Sequence, residues 1–350
     1  MGHGNGQTRS MPAPPAPAVA DDDGLVDVTS LLDPRLLLVS GKGGVGKSTA
    51  AAAVAVAAAR SGRRTCLVEV EGRQTMSRLF STPPWDFEER EYRPGLFGMS
   101  IDPEASLAQY LDMFYGAGRI SRLVVGSSAI EFATTAAPGI KDILLIGKVK
   151  EMERRRDPDG RRTYDLIVVD APPTGRIVNF LRAPEATTEL VNVGPIRHQA
   201  QTVIDMLRDP ARTNVTLVTL LEEMPVRETV DGAAALRELG VAVGPLLVNR
   251  VVPDRLDDPA RKALEDDLEP PDLRALYAAA GLDVGEDAAA ALRALGAAHL
   301  ARADLQDRMR EDLAMDLDLP SIELPYVYGE RFGEAELGVL ADEIDRMVSG

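Results

Sequence analysis

The sequence predicts an α/β fold, a doubly wound and mostly parallel sheet with helical insertions, and three stretches carry that expectation. The apolar run Leu36-Leu37-Leu38-Val39 reads as a buried strand. It leads into the glycine-rich segment Gly41-Lys42-Gly43-Gly44-Val45-Gly46-Lys47-Ser48-Thr49, and the alanine- and valine-rich run Ala50–Ala59 behind it reads as a helix lying close on a sheet. A second strand, Thr65–Val70, follows the helix stop Ser61-Gly62, so strand, loop, helix and strand form one parallel βαβ unit. A third apolar strand, Tyr164-Asp165-Leu166-Ile167-Val168-Val169-Asp170, ends on an acid.

The 350 residues can hold one large α/β domain or two small ones. Residues 1–30, rich in Gly, Pro, Ala and Asp, are expected to form a disordered tail. Residues 31–350 are expected to form a single domain with helical insertions at about 81–160 and 252–315. An apolar share of 45% with 27% charged residues suits an ordinary globular body. The formal charge of −16 argues against a nucleic-acid groove and against adhesion to anionic lipid, so nucleic acid is not an expected partner. The lone cysteine, Cys66, lies in an apolar segment and reads as a small buried hydrophobe. It rules out an intrachain disulfide and an intrachain cysteine cage for zinc, and it suits a reducing, cytoplasmic setting. His3, His198 and His299 lack metal-ligand spacing. No run reaches the roughly 18 apolar residues of a membrane span, and no secretory signal is expected.

The glycine loop lies between a strand and a helix, the context of a phosphate-binding loop. Glycines let backbone N–H groups converge on phosphate oxygens, and the helix N-terminus adds partial positive charge. Lys47 is expected to reach the β- and γ-phosphates and Ser48 to ligate Mg²⁺. Lys42, directly after the first glycine, can lie along the phosphates but cannot easily reach its own γ-phosphate, the alternative being a solvated loop lysine. Parallel topology brings the carboxyl ends of the strands to one edge, where ligands bind. Glu71, just past the second strand, is therefore placed near the loop, to position or deprotonate water, to act as an outer partner of Mg²⁺, or simply as a solvated acid. Asp170 ends a Walker B pattern and is expected to hold Mg²⁺ through water, the alternative being a turn or cap aspartate.

Between these landmarks, Pro83-Pro84-Trp85 reads as a turn, Glu104–Ile130 as helical with Leu107, Tyr110, Leu111 and Phe114 on one face, and Lys141–Arg155 as a helix. Ala171-Pro172-Pro173-Thr174-Gly175-Arg176 reads as a loop with little helix tendency. Asn214–Leu220 is a strand, Val226–Leu239 a helix, and Pro245–Asn249 a strand whose terminal Asn249 either reads an adenine edge or sits in a turn. Ser321–Pro325 is a short last strand, with Pro325 assigned to the nucleotide pocket beside Asn249, and Glu334–Met347 is a closing helix.

With these residues placed, the chain resembles the arsenite-pump ATPase family, which includes the ATPase that targets tail-anchored proteins. The likeness rests on Lys42 and Lys47, on Glu71-Gly72-Arg73-Gln74-Thr75-Met76-Ser77-Arg78-Leu79-Phe80 as first switch, and on Asp170-Ala171-Pro172-Pro173-Thr174-Gly175-Arg176 as second switch. Pro138-Gly139-Ile140, Glu223-Met224-Pro225, Glu228-Thr229 and Asn249 also fall in place. The resemblance implies a deviant Walker A, SIMIBI-type P-loop NTPase that binds ATP and Mg²⁺ and dimerises so that Lys42 serves the partner's nucleotide. It also implies a protein client or membrane partner. Glu71 stands where relatives carry the water-activating Asp, and Arg176 where they carry His. The cysteines for arsenite and the zinc clasp are absent, so neither arsenite transport nor zinc is carried over. With one phosphate loop, the second subunit is an identical chain or a paralogue. Two other readings stand beside an active ATPase: a weakly active or inactive regulatory subunit paired with a paralogue, and a MinD/ParA-type partitioning ATPase.

Overall fold

The computed structural model describes residues 27–70, 72, 74–115, 139–190, 195–253, 256, 261–262, 264, 270–329 and 332–349. The strands are β1 (Leu36–Gly41), β2 (Thr65–Val70), β3 (Arg90–Arg93), β4 (Leu96–Ile101), β5 (Leu166–Asp170), β6 (Thr213–Thr219), β7 (Leu246–Val251) and β8 (Ser321–Pro325). They pair in the order β3-β4-β2-β5-β1-β6-β7-β8. Every pairing is parallel except β3 with β4. The helices are α1 (Lys47–Arg60), α2 (Thr75–Leu79), α3 (Pro103–Tyr115), α4 (Ile140–Arg154), α5 (Thr174–Leu190), α6 (Pro195–Arg208), α7 (Glu223–Glu238), α8 (Pro270–Ala279), α9 (Glu286–Asp316) and α10 (Glu334–Ser349). The expected α/β architecture is present.

Burial on both faces explains why the central strands read as unbroken apolar runs. Leu37, Val39, Leu67, Leu166 and Val168 face one way, against the small side chains of α1 and against Leu337, Leu340 and Ile344 of α10. Leu36, Leu38, Cys66, Val68, Ile167 and Val169 face the other, against Leu145, Val149 and Met152 of α4, Ile177 and Phe180 of α5, and Leu236 of α7. The alanines of α1 from Ala50 to Ala58 are completely buried, which lets its backbone lie near β1 and β5. Cys66 is a buried free thiol, and burial pushes its pKa up.

Several expectations change. The segment expected to be a helical insertion at 81–160 contains two strands, β3 and β4, which extend the sheet at one edge. Trp85, expected in a turn, is 2% exposed. Its ring stacks on Tyr92 at 4.6 Å and on Phe80 at 5.8 Å, over Gly98 of β4, where a Cβ would collide with the indole. The helix expected over Glu104–Ile130 is described as α3 to Tyr115, and the rest lies outside the described residues. The loop expected through Arg176 gives way at Thr174, where α5 begins. Pro173 explains this: its fixed φ suits a helix start, and its carbonyl accepts from the Arg176 and Ile177 N–H groups at 2.7 and 2.9 Å. Of the expected tail, residues 1–26 lie outside the described residues, whereas Val28–Leu32 forms a 3-10 turn that buries Leu31 and Leu32.

One buried ion cluster holds the edge of the sheet where the strands begin. Glu153 of α4, 1% exposed, meets Arg212 at 2.7 Å, Arg162 at 3.2 Å and Arg35 at 3.3 Å, residues that stand just before β6, β5 and β1. Burial alone pushes the Glu153 carboxyl up. The Arg212 hydrogen bond and the three guanidinium charges outweigh that effect and hold its pKa below the ordinary value. A carboxyl depressed in the folded state contributes stability that is complete above the unfolded value of about 4.3, and that is lost as pH falls through the folded one. Glu153→Gln is therefore expected to lower stability at neutral pH by about 3–5 kcal/mol and to flatten the acid limb of the stability profile, as read from urea midpoints across pH.

Candidate functional site

The carboxyl ends of β1, β2, β5, β6, β7 and β8 share one edge, and the glycine loop rises from it between β1 and α1. Gly44 and Gly46 have φ of +89° and +94°, a left-handed backbone that side chains rarely adopt. At Gly46 a Cβ would also collide with the Asn249 amide. That amide reveals the packing beneath the loop. Asn249, 5% exposed at the end of β7, donates from Nδ2 to the Val45 carbonyl at 2.8 Å, and its Oδ1 accepts the Arg250 N–H at 2.9 Å. Sequence reasoning assigned Asn249 to an adenine edge or a turn. In this structure both ends of its amide hold backbone, one of them the glycine loop. Pro325 ends β8 in register with Val251, on the same edge.

Lys47 is buried in the first turn of α1, and its Nζ donates to the Lys42 carbonyl at 3.2 Å, curling over the loop. The next residue, Ser48, donates from Oγ to Asp170 Oδ2 at 2.6 Å. Thr49 follows in the same turn. The loop residues Gly41–Thr49 and Asp170, some 120 positions apart, thus form one constellation. A hydroxyl and a carboxylate oxygen are hard donors that suit Mg²⁺, and the pair fits the ion the loop implies. Among the described residues no group of three or more His, Cys, Asp and Glu could hold a metal.

Lys42 turns aside from the loop and donates to Glu228 Oε1 of α7 at 2.5 Å, a half-exposed ion pair. Ser40 of β1, fully buried, donates to the Pro172 carbonyl at 2.7 Å and so ties β1 to the segment after Asp170. Arg176 in the first turn of α5 pairs with Asp142 of α4 at 3.1 Å, and burial pushes the Asp142 carboxyl up. Glu71 lies outside the described residues, but both flanks of its segment are in view. Glu69 accepts the Thr75 N–H at 2.6 Å. Gln74, at φ +56°, clasps the Trp85 backbone with both amide atoms at 2.8 Å. Sequence reasoning passed over Glu69 because it sits inside an apolar strand. Its signal was an acid two residues before Glu71, on the strand that runs into the site.

Residues 34–198 and 190–268 match the sequence profile of the family described as anion-transporting ATPase. The chain belongs to the ArsA-type anion-transporting ATPase family. It is 40% identical over 299 residues to the ATPase BagA of Mycobacterium tuberculosis, covering 84% of this chain and 87% of that one. It is 26% identical over 245 residues to an arsenical pump-driving ATPase of Escherichia coli, covering 63% of this chain and 40% of the relative. With the ATPase GET3 of Kluyveromyces lactis it shares 30% identity over 200 residues, 54% and 56% of the two chains. The ArsA-type profile match includes Lys42, Lys47, Ser48, Asp170 and Asn249.

The Asn249 amide is the buried support of the loop, so Asn249→Ala leaves the Val45 carbonyl without its donor. A loss of about 1–3 kcal/mol is expected from urea unfolding. Asn249→Asp, which keeps the acceptor for Arg250 and removes the donor, is expected to fall short of wild type as well.

Proposed function

We propose that this ArsA-type chain is a Mg²⁺-dependent ATPase that dimerises around nucleotide and uses hydrolysis to handle a protein client or membrane partner. The observation that carries the reading is the contact of Ser48 Oγ with Asp170 Oδ2 at the foot of a loop that holds Lys47. In this reading the loop N–H groups and the α1 N-terminus bind the triphosphate, and Lys47 meets its terminal oxygens. Mg²⁺, when bound, neutralises charge on the β- and γ-phosphate oxygens. Glu71 orients or deprotonates the attacking water. Asn249 and Pro325 border the base, and the second partner is an identical chain or a paralogue.

Lys42 adds the dimer to this reading. Leaving Glu228 for the phosphates of a partner's nucleotide exchanges a half-exposed ion pair, worth at most about 1 kcal/mol, for a multiply charged ligand. The Arg176–Asp142 pair gives the nucleotide edge a route to α4. A change at the segment after Asp170 on loss of phosphate then reaches α4. Among the described residues no helix is long and apolar enough to cross a membrane.

Purified chain is expected to release phosphate from MgATP, and Lys47→Ala to lose both tight ATP binding and turnover, measured by fluorescent-nucleotide titration and phosphate release. Wild-type turnover in Lys47→Ala would sink the assignment. Lys42→Ala is expected to keep nucleotide binding but to lose most of its turnover and its ATP-dependent doubling of mass in light scattering. Unchanged mass and turnover would remove the trans role of Lys42.

A further inference from the structure

Glu69 is an anomaly in the core. It is 0% exposed, and while Oε1 accepts the Thr75 N–H, Oε2 is buried with no hydrogen-bond partner. A buried carboxylate oxygen left unpaired is costly, and native proteins keep such groups where something else completes them. Register shows what lies nearby. Glu69 of β2 pairs directly with Asp170 of β5. Leu67 on β2, and Leu166 and Val168 on β5, face α1, so strand alternation puts Glu69 and Asp170 on that same face. Registered neighbours in a parallel sheet stand about 4.8 Å apart. Two acids therefore lie side by side under the first turn of α1, where Ser48 already meets Asp170. Side-by-side carboxylates in a buried setting are stable together only with a cation or a shared proton between them.

We propose that Glu69 is a second carboxylate of the metal site, with Oε2 accepting a hydrogen bond from a water carried by the divalent cation that Ser48 and Asp170 hold with the nucleotide. The proposal rests on the ATPase reading above and adds a residue to its metal site. It gives each Glu69 oxygen a separate task. Oε1 fixes the start of α2 through Thr75, and Oε2 completes the outer shell of the ion. Such outer-shell partners set metal affinity by tenfold to a hundredfold.

Glu69→Gln keeps an oxygen for Thr75 and the shape of the side chain while removing the charge. The test is Mn²⁺ affinity, read by electron paramagnetic resonance, with a non-hydrolysable ATP analogue bound, beside affinity for the analogue alone in EDTA. The expected result is a dissociation constant for Mn²⁺ raised about tenfold or more with metal-free nucleotide binding unchanged. Mn²⁺ affinity within twofold of wild type overturns the proposal. Should Glu69→Gln fail to fold, the Glu71→Gln chain carrying ¹³C-carboxylate glutamate serves instead. A weak outer-sphere carboxylate coupling to Mn²⁺ in pulsed resonance is expected, and its absence overturns the proposal. A wild-type chain that binds no nucleotide overturns the ATPase reading and this one together. A wild-type chain that binds nucleotide and Mn²⁺ while Glu69→Gln matches it overturns the Glu69 role alone.

Discussion

A loop that turns its N–H groups inward to a ligand turns carbonyls outward, and those carbonyls need donors of their own. Here the donors are Asn249, from beneath, to Val45, and Lys47, from above, to Lys42. The first of these bonds constrains its surroundings. Position 46 must be glycine because the amide occupies the space a Cβ would take. Arg250 adopts φ +57°, and its N–H fixes the amide oxygen. Strand β7 must end at the height of the loop, which its pairing between β6 and β8 secures. The conformation of the glycine loop after β1 thus depends on a residue two strands away.

The helix α4 connects the two edges of the sheet. Its fifteen residues span about 22 Å. Near its C-terminus Glu153 is buried among three arginines, and near its N-terminus Asp142 meets Arg176 through a partly exposed pair. The two attachments differ greatly in strength, since exposed pairs contribute little and breaking a buried charge cluster costs several kcal/mol. The stronger polar attachment of α4 is therefore at the edge where the strands begin.

Much of this architecture was legible because burial on two faces writes β1, β2, β5, β6 and β7 as plain apolar runs, and glycines and prolines mark their ends. Strands β3 and β4 escaped for physical reasons. Arg90-Glu91-Tyr92-Arg93 is a charged edge strand, the kind of composition that keeps an edge from recruiting another chain. Gly98 breaks the apolar pattern of β4 because the Trp85 ring fills its space from thirteen residues away. At the site, Lys42, Lys47, Ser48 and Asp170 could be named from spacing. The tasks of Asn249 and Glu69 could not, because each depends on register with a strand distant in the chain.

Cys66 carries a last consequence. It is the sole thiol of 350 residues, sealed in β2 with its ionisation opposed by burial. A thiol that neither meets solvent nor forms thiolate is inert to oxidants and alkylating agents. The folded chain therefore offers no reactive thiol of its own, and a single cysteine placed on its surface would be the one site at which a thiol-directed probe attaches.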